Sequence, residues 1–131
     1  MATISVATNH VRVIIAGGRD FYDSELLYNT MDEFLANLPP NTLTVEVVCG
    51  EAKGADTLGR RWAEDRGLPV KSFPADWSKY GNKAGPIRNQ QMLEYATHLV
   101  AFWDQTSRGT LDMITRSSKS GMPTEVVYYG W

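Results

Sequence analysis

The chain has a single cysteine, Cys49, in 131 residues, so an intramolecular disulfide is excluded. A reducing cytoplasm is the compartment that fits. Histidine is also scarce. His10 and His98 share no metal-ligand spacing, so no metal site is expected, and no cofactor of any kind is expected either. Basic residues do not exceed acidic ones: 13 Lys and Arg face 15 Asp and Glu, a formal charge of −2. A protein that lives on long nucleic-acid backbone carries a positive excess, so that partner is not expected. No apolar run approaches membrane-spanning length, and Met1 to His10 lack the cationic start and apolar stretch of a signal peptide. Nor is there a Walker A motif, because Lys53 precedes Gly54 instead of following it. Linkers, repeats and low-complexity segments are missing, so residues 11–131 read as one domain. Residues 1–10 read as a loose end or an added edge strand.

What is present is ordinary globular composition, 43% hydrophobic and 21% charged. Apolar runs alternate with helix-like patterns. Strands are expected at Val11–Ala16, Thr44–Val48, Val70–Phe73, Leu99–Phe102 and Thr124–Tyr128. The first helix is expected over Ser24–Asn37, capped by Asp23 or Ser24 and stopped by Pro39-Pro40. The second runs over Ala55–Arg66, ended by Gly67. After a long loop at Pro74–Gly85, a third helix runs from near Pro86 to Ala96, and a fourth covers Thr110–Lys119. Near-continuous apolar strands between helices argue a parallel sheet covered on both faces. The expected fold is α/β, a Rossmann-like three-layer sandwich around a mostly parallel sheet of about five strands.

Three glycine-containing turns stand where a strand ends and a helix begins: Gly17-Gly18-Arg19-Asp20, Gly50 through Asp56, and Arg108-Gly109-Thr110. Parallel strands send such turns to one edge of the sheet, where backbone N–H groups and helix N-termini favour phosphate. Gly17 and Gly18 allow close backbone approach. Arg19 is a candidate for phosphate or base stacking, and Asp20 for ribose hydroxyls or for holding Arg19. Gly50, Lys53 and Gly54 frame the strongest anion signal. Glu51 suits a ribose, and Asp56 either a ligand or the helix dipole. Arg88 near a helix start opposes the dipole, a misfit that a bound phosphate relieves. Asn89 can read a base edge or ribose, Trp77 can stack on a base, and Ser107, Gly109 and Thr110 can hold phosphate. Trp103 is read as a wall of the pocket. The apolar tail, Val126 to Trp131, either docks on a neighbouring subunit or covers its own sheet.

In order along the chain, Gly17-Gly18-Arg19-Asp20-Phe21, Gly50-Glu51-Ala52-Lys53-Gly54-Ala55-Asp56, Pro74-Ala75-Asp76-Trp77 and Gly85-Pro86-Ile87-Arg88-Asn89-Gln90-Gln91-Met92 form a set. This set resembles the YspA/YpsA-related branch of the SLOG superfamily, a relative of the Lonely Guy proteins and of DprA. The resemblance covers roughly Val11 to Val127. It implies a Rossmann-like fold, a homodimer or higher oligomer, and binding of a nucleotide-derived small molecule of the NAD, ADP-ribose or cyclic-nucleotide kind. The role is then sensing, or sequestering a defence signal if the source is a phage. A second reading is Lonely Guy-type cleavage of a nucleoside monophosphate at its N-glycosidic bond. Arg88 matches that group's upstream arginine, but its catalytic glutamate falls on Met113. Asp112 lies one residue early, about 100° away around a helix. Glu51, Arg88 and Asp112 are the candidate catalytic residues of that reading. A third reading, by analogy with DprA, is single-stranded DNA binding, which the acidic balance disfavours.

Overall fold

The computed structural model describes residues 10–50 and 53–130. Expectations for residues 1–9, for Glu51 and for Trp131 lie outside the described residues. Strands β1 (His10–Gly17), β2 (Thr44–Cys49), β3 (Val70–Ser72), β4 (His98–Trp103) and β5 (Thr124–Tyr128) form one sheet, ordered β3-β2-β1-β4-β5. Every neighbouring pair is parallel. The helices are α1 (Ser24–Ala36), α2 (Ala55–Asp65), α3 (Trp77–Tyr80), α4 (Ala84–Tyr95) and α5 (Arg108–Ser120). Among the described residues, no helix is long and apolar enough to cross a membrane.

Strand alternation explains the two cores. In β1, Val11, Val13 and Ile15 face one side and pack with Leu27 and Met31 of α1 and Leu58, Trp62 and Ala63 of α2. Ile14 and Ala16 face the other side, with Met92 and Leu93 of α4 and Met113 of α5. Successive side chains of a strand point to opposite faces, so a strand apolar at both parities must be covered twice. β2 and β4 do the same, Val47 and Val100 joining the first core and Val48 and Leu99 the second. Gly59 lets α2 ride close on the sheet, since a Cβ there would come within 2.9 Å of Ile15.

Helix ends follow local chemistry. The Asp23 carboxylate accepts the Leu26 N–H at 3.0 Å and starts α1. Gly67 (φ +69) and Gly121 (φ +77) leave α2 and α5 in the left-handed region. The stretch read as a loop over residues 74–85 is instead partly helical. α3 is followed by a 3-10 turn at Gly81–Lys83, and α4 starts at Ala84 instead of near Pro86. Asp76 causes this by capping α3, its carboxylate accepting the Lys79 N–H at 3.1 Å and the Ser78 hydroxyl at 2.9 Å. Pro86 fits inside the first turn of α4, where no N–H is required. β1 already includes His10, whose ring lies 2.8 Å from the Thr44 hydroxyl.

Strand order reverses between β1 and β4. The chain leaves β1 toward β2 and later returns to the other side of β1 as β4. A crevice therefore opens at the carboxyl ends of those strands, the usual ligand position in such sheets.

Candidate functional site

The first two turns are packed onto each other. A Cβ on Gly17 would lie 2.6 Å from Ala55 and 2.7 Å from the Phe102 carbonyl oxygen. One on Gly18 would collide with the Tyr129 hydroxyl and approach an Asp20 carboxylate oxygen at 2.8 Å. Gly54 has φ +75, and a Cβ there would collide with the Gly18 carbonyl oxygen. These glycines are thus required by contact between turns, whether or not a ligand approaches them. Phe21 is buried beneath, its ring centroid 4.9 Å from Phe102 and 4.7 Å from Tyr129.

The β2 turn is tied down by two charged groups. The buried Asp56 carboxylate, in the first turn of α2, accepts the Gly50 N–H at 3.1 Å. Arg88 of α4 donates to the Gly50 carbonyl and, through Nε, to Asn89 Oδ1 at 3.1 Å. No carboxylate lies within ion-pair distance of Arg88 among the described residues. Burial accordingly pushes its pKa below the ordinary arginine value. Asp56 pulls it up again, and nearby Arg19 pushes it down. Arg88 is a partly desolvated cation facing a second cation.

The third turn begins with Asp104, whose Oδ1 accepts the N–H groups of Thr106 at 2.9 Å and Ser107 at 2.8 Å. Those bonds hold its carboxyl below the usual range. Gln105 sits at φ 71 to make the turn. Ser107 then caps α5 through a contact with the Thr110 N–H, and Gly109 has open space where a Cβ would be. Trp103 is not a cavity wall: its indole donates to the Ser107 carbonyl at 3.1 Å and braces the turn. The buried Asn89 side chain joins α4 to α5, donating to the Gly109 carbonyl at 3.4 Å and to Asp112 at 3.0 Å. The Asp112 carboxylate also pairs with Arg116 at 2.9 Å.

These elements enclose a cavity of about 620 Å³, within the size range of small-molecule sites. Of the residues expected from sequence, Gly17, Gly18, Arg19, Asp20, Asp56, Trp77, Arg88, Asn89, Ser107, Gly109, Thr110 and Asp112 line it. Gly50, Lys53 and Gly54 are not among its lining residues, Gly50 contributing through its contact with Arg88. Ala16, Gly85, Pro86, Met92, Arg108 and Met113 line it without having been expected as ligand-binding residues. Arg108 was legible as the residue that opens α5 at the third turn; the apolar ones look like core, and Met92 and Met113 are both core and wall. Trp77 stands at the mouth, 52% exposed. Three arginines and three aspartates therefore border the space, but Asp112 is already neutralised by Arg116. Tyr129 was missed as a site neighbour: its hydroxyl donates to Asp20 at 2.9 Å. Within the described part of the tail, Tyr129 packs on its own domain, while Tyr128 is exposed. Among the described residues, no group of three or more His, Cys, Asp or Glu is arranged to hold a metal.

A parallel sheet in this order, with strand-to-helix turns meeting at the β1–β4 reversal, defines a Rossmann-like α/β protein. Within that class, a sequence model of the YspA, cpYpsA-related SLOG family matches residues 11–80, and the chain belongs to this family. It is 31% identical over 125 residues to Gene 61 protein of Mycobacterium phage D29, which covers 91% of this chain and 96% of that protein. The structure of DNA processing protein A (DprA) from Streptococcus pneumoniae is similar over 92% of this chain, with a TM-score of 0.71 at 15% identity. The chain spans about half of that DprA chain (51%), and the likeness is one of fold.

Proposed function

We propose that the protein binds an anionic, nucleotide-derived small molecule in the cavity at the β1–β4 reversal. The observation that carries this reading is Arg88, a partly buried guanidinium without a carboxylate partner among the described residues. A cation held out of water in this way is short of negative charge, and a phosphate supplies it with charge-assisted hydrogen bonds. Arg19, Arg108 and the N-terminal N–H groups of α5 add to the same field. The apolar floor of Ala16, Met92 and Met113, with Trp77 at the mouth, suits a base. The relative encoded by a mycobacteriophage favours sequestration of a host nucleotide signal as the biological form of the binding.

Holding fits better than cleaving. Asp112, the wall carboxylate nearest the position expected for a catalytic glutamate, is engaged by Arg116 and Asn89. Asp56 is committed to the Gly50 N–H. The test is to incubate the protein with nucleotides, NAD, ADP-ribose isomers and cyclic nucleotides, then denature it and analyse what is released. Intact ligand depleted from solution and recovered on denaturation supports binding. Free base and ribose phosphate in excess of the protein would replace this reading with hydrolysis, and no depletion of any compound would overturn both. Salt-resistant gel shifts of oligonucleotides would instead favour the DNA-binding alternative.

A further inference from the structure

We propose that Tyr129, in the segment that follows β5, is a positioning residue that orients the Asp20 carboxylate to accept a ribose hydroxyl. The cavity then prefers ribonucleotides to their deoxy counterparts. This rests on the nucleotide-binding reading above.

Asp20 borders the cavity at the end of the β1 turn. Its Oδ1 accepts the Tyr129 hydroxyl at 2.9 Å, and no other side chain or backbone group among the described residues bonds to the carboxylate. No lysine or arginine lies within ion-pair distance of it among the described residues. Oδ2 therefore keeps its accepting capacity, and a hydroxyl is the neutral donor that a fixed carboxylate selects. Arg19, next in sequence, leaves Asp20 free for this role.

Tyr129 is placed for the task by three restraints. Its N–H donates to the Trp103 carbonyl at 3.1 Å, its ring packs edge-on against Phe21 at 4.7 Å, and Gly18 has no Cβ to obstruct the hydroxyl. Burial first, and the bond to Asp20 second, push the Tyr129 pKa above its ordinary value. The hydroxyl thus keeps its proton and stays a donor. Asp20 and Tyr129 lie 109 residues apart in sequence, so the last segment of the chain reaches back to the first turn.

The test compares ADP with 2′-deoxy-ADP and 3′-deoxy-ADP by calorimetric titration. Wild-type protein is expected to bind ADP about ten-fold more tightly than at least one deoxy form, the scale of one hydrogen bond to a charged acceptor. Tyr129→Phe keeps the packed ring and should bring that ratio close to one, while affinity for the deoxy form is unchanged. A merely structural tyrosine would lower all affinities together, and that result overturns the proposal. Asp20→Asn tests the same acceptor without touching the packed ring and should also collapse the ratio. Wild-type binding of ADP with no preference over either deoxy form would reject the positioning role but leave nucleotide binding intact. Failure of the wild-type protein to bind any of the three would count against the nucleotide reading itself.

Discussion

Replacing Arg88 by methionine separates a binding residue from a structural one. In the folded protein Arg88 donates to the Gly50 carbonyl and to Asn89, and these bonds contribute about 1 kcal/mol each. Against that stands the desolvation of a guanidinium with no carboxylate within ion-pair distance among the described residues, a cost of similar size or larger. Methionine keeps much of the volume and removes the charge, so the unliganded protein should change by no more than about 1 kcal/mol. For a domain of this size that shifts Tm by about 4 °C. Binding should respond far more, because a charge-assisted bond to phosphate is worth about 1.5–3 kcal/mol, or roughly 10- to 150-fold in Kd. At a ligand concentration one hundred times the wild-type Kd, wild type gains about 2.7 kcal/mol of stability. A variant with one hundred-fold weaker affinity gains only about 0.4 kcal/mol at that concentration. Calorimetric unfolding with and without ADP measures both quantities. Equal ligand-induced stabilisation in the two proteins would refute Arg88 as the anion contact. A loss above about 3 kcal/mol without ligand would show instead that its bond to the β2 turn is structural.

Gly54→Ala should destabilise by more than about 2 kcal/mol in urea unfolding, since φ +75 and the Gly18 carbonyl oppose a Cβ. Trp77→Ala should cost about 1–3 kcal/mol of ADP affinity if the indole stacks on the base. Lys53→Ala, at a residue outside the cavity lining, should change that affinity by less than about three-fold. Asp32 is held down to about 2 by the Arg66 guanidinium and then by the Trp62 indole N–H. Because its folded pKa lies below the ordinary 3.8, the stabilisation is present above that pH and lost as pH falls toward 2. Asp32→Asn should flatten this part of the stability curve. Solvent exposure limits the effect to about 1 kcal/mol or less in acid unfolding.

The sheet was legible because burial on both faces leaves strands apolar at both parities, as in Val13-Ile14-Ile15. α1 and α2 were legible from helical spacing and from the Asp23 cap and the Gly67 stop. α3 was not, since Trp77–Tyr80 is too short to show a period and its cause is one local cap at Asp76. At the site, strand-to-helix logic found most of the wall, but contacts between distant segments left no local pattern. Arg88 meets Gly50 across 38 residues and Tyr129 meets Asp20 across 109. The glycine pair at Gly17 and Gly18 was found for a reason that proved incomplete. Sequence suggested room for a ligand, whereas Ala55, Phe102 and Tyr129 already take up the space beside those residues.

That difference bears on what determines ligand choice. If the glycines mainly let turns pack on one another, they fix the frame of the cavity more than its preference. Preference then belongs to the side chains that the frame leaves short of partners. Arg88 has no carboxylate within ion-pair distance among the described residues, Asp20 has an oxygen to spare, and Gly109 opens the start of α5. The wall residues with their bonds already made, Asp56 on Gly50 and Asp112 on Arg116, hold the shape in which those groups face one space. Changing Asp56 or Asp112 should therefore reduce stability and affinity together. Changing Arg88 or Asp20 should reduce affinity alone, and that split locates recognition within the framework.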